Sequence, residues 1–121
     1  MGSLTLLDTN ILIYHANGRL SFPLGAGSFA ISVISEIEVL GFNGLTDIES
    51  DRLRQLVADL TVVPINDEIK EMAIELRQTT SLRLPDAIIV ATAIVIGAEL
   101  MTNDSNLIKV PGLVTSVPAL N

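Results

Sequence analysis

The stretch Leu4-Thr5-Leu6-Leu7-Asp8-Thr9-Asn10 runs directly into Ile11-Leu12-Ile13-Tyr14. A short apolar run that halts on an acid reads as a buried strand whose carboxyl end presents Asp8. Thr9 and Asn10 then have the form of a cap on an apolar helix that closes near Asn17-Gly18. Open α/β sheets carry their chemistry beyond the carboxyl ends of the strands. Asp8 is therefore the first candidate site residue, and the rest of the chain is read for what could join it.

Beyond a loop from Arg19 to Ser28, Phe29 to Ile34 reads as the second strand. Ser35-Glu36-Ile37-Glu38 follows with the spacing of a capping box, so Glu38 has two readings, one as a cap of its own helix and one as a site acid. Glu36 fits the helix macrodipole and needs no function. Thr46 precedes an amphipathic helix with Leu53, Leu56, Val57 and Leu60 on one face. Thr61 to Ile65 is a third strand, with Pro64 marking its end or an edge position. Asn66-Asp67-Glu68 opens a further amphipathic helix in which Met72 is a packing residue.

Leu84-Pro85-Asp86 begins a helix that is apolar or small on all sides as far as Gly97. A carboxylate at the mouth of such a helix compensates its dipole, yet it is costly there unless something pairs with it. Glu99 to Thr102 is a fourth strand that delivers Asp104, which also reads as a turn or cap residue. A last short strand lies near Leu113 to Val117. Strands alternating with helices predict a mainly parallel sheet.

The bulk properties narrow the functions. At 121 residues, the chain fits one domain spanning 1–121. Hydrophobic residues make up 49% and the mean hydropathy is +0.54, more than so small a core can bury, which predicts a subunit interface or a bound partner. With aromatics at 3%, stacking platforms for single-stranded nucleic acid are not expected. A net charge of −7 argues against a general phosphate-binding surface and suits acids awaiting cations, or a plain solvated acidic surface. The absence of cysteine excludes disulfides and thiolate metal sites. No segment reaches the roughly 20 apolar residues that span a bilayer, and the opening run lacks the basic segment of a signal peptide. A soluble, cytoplasmic protein is expected. His15, the single histidine, reads as a partly exposed helix residue.

Each acid has an ordinary structural explanation. Together, Asp8, Glu38, Asp86 and Asp104 all fall at strand-to-helix junctions or helix starts, which gather at one end of an α/β sheet. Four carboxylates crowded there would hold protons unless a cation neutralised them. An all-oxygen donor set selects a hard ion, Mg²⁺ or Mn²⁺, and suits metal-assisted phosphodiester hydrolysis.

The segments LLDTNILIY, ISVISEIEVLGF, LPDAIIVATA and TNDSNL resemble, in order and spacing, the successive motifs of PIN-domain ribonucleases. The likeness is greatest to VapC toxins of prokaryotic toxin–antitoxin pairs. It implies a PIN-like three-layer α/β/α sandwich with a mainly parallel central sheet. It places the family's invariant acids on Asp8, Glu38, Asp86 and Asp104, selects Glu38 over Glu36, and puts supporting polar positions at Asn10 and Thr102. It further implies a Mg²⁺- or Mn²⁺-dependent endoribonuclease acting on RNA, a homodimer, and an antitoxin partner that inserts an arginine at the acidic site.

After Asp104 the family usually continues with a basic residue, an acid and phenylalanine, where this chain has Ser105, Asn106 and Leu107. An acid able to assist a second ion is thus missing. Arg19, Arg83 and Lys109 are the candidate phosphate contacts. Two other readings compete. One is a PIN-like domain that no longer cleaves and serves as a binding or scaffold module. The other is a phosphatase or phosphoacceptor domain using Asp8 as nucleophile, for which Lys109 is a poorly placed lysine.

Overall fold

Successive side chains of a strand point to opposite faces, so the strand sequences sort the core into two halves. The computed structural model describes residues 4–18 and 28–120. Its strands are β1 (Leu4–Leu7), β2 (Ser28–Ser32), β3 (Thr61–Val63), β4 (Glu99–Met101) and β5 (Thr115–Ser116). Leu6 is in register with Ala30 and Leu100, and these three pack with the helices α4 (Asp67–Thr79) and α5 (Leu84–Ile96). Leu7, in register with Met101, joins Ile31 in packing on the other face against α1 (Thr9–Ala16), α2 (Val33–Leu40) and α3 (Asp47–Ala58). The short helix α6 (Ser105–Ile108) follows β4 and adds Leu107 to the first half. The result is the three-layer sandwich that the family resemblance implies, built on the parallel sheet that the alternating pattern predicts.

The strand order is β3-β2-β1-β4-β5, and every pairing among the described strands is parallel. The sheet is thus more uniform than the mainly parallel arrangement expected from sequence. Pro64 directly follows the edge strand β3, where its missing N–H costs no ladder bond. Helix α5 is buried continuously from Ala87 to Ala93 and packs against both α4 and α2, which is why its sequence is apolar all round. Its first turn holds Pro85, and Gly97 closes it at φ +68, a left-handed conformation that glycine adopts without strain.

Two helix starts differ from the sequence reading. Helix α1 begins at Thr9 and is capped by Asp8 itself, not by Thr9 or Asn10. Helix α2 begins at Val33, two residues before the expected cap Ser35: Ser32, the last residue of β2, is the cap and accepts a hydrogen bond from the Ile34 amide at 3.1 Å. The capping box between Ser35 and Glu38 does not form. Val33 and Ile34 have strand propensity, but Ile34 finds its burial against the α4–α5 half of the core from a helix. The shift leaves Ser35 and Glu38 inside α2, free to face α1.

Candidate active site

From β1 the chain moves outward through β2 to β3, and later from β4 outward to β5, so the topology reverses between β1 and β4. The crevice beyond the carboxyl ends of such a strand pair is where α/β sheets hold ligands. Asp8 and Thr102 stand there side by side. The Asp8 amide donates to the Met101 carbonyl at 3.0 Å, extending the ladder by one rung. Its carboxylate accepts from the Thr9 amide at Oδ1 (2.8 Å) and from the Thr102 hydroxyl at Oδ2 (2.7 Å). Asp8 is 5% exposed and Thr102 is 0% exposed.

The other acids come from three different elements. Asp104 follows β4; its amide donates to Thr102 Oγ1 at 3.0 Å, while its Oδ1 caps α6 by accepting from the Asn106 amide at 2.9 Å. Asp86, half-buried, sits in the first turn of α5. Glu38, exposed on α2, accepts the Thr9 hydroxyl at 2.8 Å.

The electrostatics tie these groups together. Burial pushes the Asp8 carboxyl above the ordinary range, and the charges of Asp104 and Glu38 push the same way; the bonds from Thr102 and Thr9 oppose them. Asp86 is likewise raised by burial, then by Asp8, Asp104 and Glu38, against the nearby Arg83 guanidinium. Four carboxylates therefore share one field at the sheet's switch point. Their donor set is oxygen only and each Asp8 oxygen keeps a free lone pair beyond its single hydrogen bond, which fits a hard divalent cation. With the side chains as they stand, no three acids among the described residues converge on a common point. Asp8 is fixed from two sides, whereas Glu38, Asp86 and Asp104 are more exposed.

Asn10 departs from its expected supporting role. It is exposed, and its side chain makes no hydrogen bond among the described residues; Thr102 and Thr9 hold Asp8 instead. Thr9 and Ser35, read from sequence as caps, are the polar residues that were missed. Ser35, wholly buried, lies 2.8 Å from the Thr9 hydroxyl. The signal was the spacing Ser35-x-x-Glu38, which inside a helix puts both residues on one face. Glu36 lines a separate hollow with Leu40, Arg54 and Leu60. His15 is half-buried, and burial alone pushes its imidazole below the ordinary value.

A cleft of about 530 Å³ opens beside the acids, lined by Asp86 and Asp104 together with Arg83, Asn106 and Lys109. Arg19 lies outside the described residues. A second, apolar groove of about 350 Å³ runs between α1, α2 and α3, walled by Ile13, Val39, Phe42, Leu53 and Leu56, with Glu38 at its margin. No described helix is long and apolar enough to cross a membrane.

The PIN domain family profile matches residues 5–113. Comparison with curated proteins returns no significant match. Among solved structures, the chain is similar to one in a toxin–antitoxin complex from Klebsiella pneumoniae, with 33% identity over 92% of this chain and 96% of that one and a TM-score of 0.75. It is similar in fold to a chain of VapBC2 from Rickettsia felis bound to a promoter DNA fragment (20% identity, 94% and 98% coverage, TM-score 0.79). The same holds for DNA-bound VapBC from Salmonella typhimurium (20% identity, 97% and 98% coverage, TM-score 0.76). The parallel sheet, the acids at its switch point and a match running over most of the sequence agree: the chain belongs to the PIN domain family.

Proposed function

We propose that the chain is a divalent-metal-dependent endoribonuclease of the VapC type, acting as the toxin of a toxin–antitoxin pair, with residues 1–121 forming one PIN-like domain. The observation that carries this reading is the gathering of Asp8, Glu38, Asp86 and Asp104 in one field at the β1–β4 switch point. PIN domains are a nuclease family, and structural relatives are toxin–antitoxin complexes, which supports the reading.

In this mechanism Asp8, Asp86 and Asp104 would hold Mg²⁺ or Mn²⁺, and Glu38 would bind it directly or through water. The ion, when bound, supplies a nucleophilic water at neutral pH and stabilises charge developing on the phosphoryl oxygens. The protein's own contributions follow from the geometry. Asp8, buried and bonded at both oxygens, is the fixed reference of the site. Glu38 orients the attacking water and accepts its proton. Arg83 and Lys109, on the cleft wall beside Asp86 and Asp104, hold phosphates of the strand flanking the scissile bond.

A partner fits the apolar groove next to Glu38, where Phe42 is 67% exposed. An antitoxin segment seated there would reach the acids with an arginine, and the acids' mutual repulsion favours such a cation. Leu84, Val114 and Val117 stand exposed elsewhere and suit a homodimer contact.

Asp8→Asn keeps the shape and one acceptor oxygen, turns the other oxygen into an amide donor, and removes the charge. It should abolish cleavage of single-stranded RNA in Mn²⁺ while leaving the circular dichroism spectrum unchanged. Cleavage at the wild-type rate by that variant refutes the mechanism. Isothermal titration with Mn²⁺ separates the nuclease from a silent scaffold, since a scaffold has no reason to bind the ion.

A further inference from the structure

We infer that Thr9 and Ser35 are positioning residues for Glu38: a two-hydroxyl relay, wholly buried at its Ser35 end, holds that carboxylate in place. The inference rests on the nuclease reading above. A hydroxyl carries one proton. The Thr9 hydroxyl gives its proton to Glu38 Oε1 at 2.8 Å, so at 2.8 Å from Ser35 Oγ it must be the acceptor. The relay therefore runs in one direction, from Ser35 to Thr9 to Glu38.

Ser35 has no water to turn to, being 0% exposed, and it donates across to α1 rather than back to its own helix. Its proton fixes the Thr9 hydroxyl's lone pair, and thereby the direction in which Thr9 donates. Thr9 is β-branched, which restricts its side chain further. Glu38 is exposed and would otherwise sample many rotamers.

The same residue also touches the first acid: the Thr9 amide donates to Asp8 Oδ1 at 2.8 Å. One residue thus bonds to two of the four carboxylates, by its backbone to Asp8 and by its side chain to Glu38. The family likeness gives the supporting role to Asn10, whose side chain hydrogen-bonds to neither acid. The consequence for the reaction is specific. Loss of the relay leaves RNA binding through Arg83 and Lys109 intact and lowers turnover, because Glu38 spends less time where it can orient water.

The test uses the full chain and four variants: Thr9→Val, which keeps the shape and removes the hydroxyl, Thr9→Ser, Ser35→Ala, and the double variant Thr9→Val with Ser35→Ala. Partners that orient active-site ligands typically cost about 10- to 100-fold when removed. Thr9→Val should lose that much in kcat on single-stranded RNA in Mn²⁺, with KM little changed, and Thr9→Ser should recover most of it. The double variant should be no worse than Thr9→Val alone, since both break one relay. Independently of activity, side-chain scalar couplings of Glu38 in the metal-free protein should report one rotamer in wild type and averaging in Thr9→Val. Unchanged couplings in Thr9→Val overturn the inference, as does wild-type turnover by that variant. If the wild-type chain cleaves no RNA, the nuclease reading falls, and the couplings alone decide whether Thr9 fixes Glu38.

Discussion

Replacing Thr102 by valine deletes one hydroxyl from the junction of the two central strands. The side chain is wholly buried, and the substitution keeps its shape, so no cavity opens. Two bonds go with the hydroxyl: the 2.7 Å donation to Asp8 Oδ2 and the 3.0 Å acceptance from the Asp104 amide. A bond to a charged group contributes about 1.5–3 kcal/mol and a neutral one about 0.5–1.5, so the variant should lose roughly 2–4 kcal/mol. In a chain of this size each kcal/mol shifts the melting temperature by about 4 °C, which predicts a fall of roughly 8–16 °C. Thermal unfolding followed by circular dichroism at neutral pH measures it. The deficit should also depend on pH. The Thr102 bond favours ionised Asp8, so its loss raises an already elevated pKa. Below both values the carboxyl is protonated in either protein, and the gap between the melting curves narrows; it opens as pH rises through them. Thr102→Ser, which retains the hydroxyl, should keep most of the stability. A Thr102→Val protein within about 0.5 kcal/mol of wild type at neutral pH, the scale of ordinary surface changes, would refute the assignment of Thr102 as the anchor of Asp8.

Two further outcomes follow from the charge arrangement. Asp8 and Asp86 have folded-state pKa values above their unfolded ones, so the native chain binds protons that the unfolded chain has released. Their contribution to stability is present below the unfolded carboxylate pKa and is lost as pH rises through the raised values; in a chelator, melting temperature should fall across that window. Asp8→Asn should flatten this slope, and Mn²⁺ should reduce it by binding the native state; an equal slope in wild type and Asp8→Asn would contradict the crowding. Arg83→Gln and Lys109→Gln should each weaken single-stranded RNA binding and reduce its salt dependence by about 0.7 for every phosphate no longer neutralised. Unaltered salt dependence in the double substitution would remove the cleft as the RNA path.

Much of this architecture can be read from the chain. The alternation of Leu6 and Leu7 in β1 assigns one residue to each face, and the all-round apolar run of α5 announces its burial. Asp8 and Asp104 are visible because each follows a short apolar run that reads as a strand. Hidden from the sequence were the interactions decided by distant partners. Ser35 carries the stronger local cap signature, yet Ser32 caps α2, because β2 ends in register with Val63 and Ser35 is taken up by Thr9. Asn10 and Thr9 are adjacent and both polar. Only the packing of α1 against α2 distinguishes the one that reaches Glu38 from the one that faces solvent.

The hydrogen bond between Asp8 and Thr102 joins positions 94 apart in the chain. Contacts this distant are slow to form during folding, because the intervening loop must close before they bring any gain. Until β4 arrives, β1 has a neighbour on one side only and an open edge on the other, toward which other chains can pair. A ribosome making this protein therefore releases strand β1 long before it releases the residues that complete the crevice. Under the proposed mechanism, the nascent chain is harmless to RNA until Asp104 emerges.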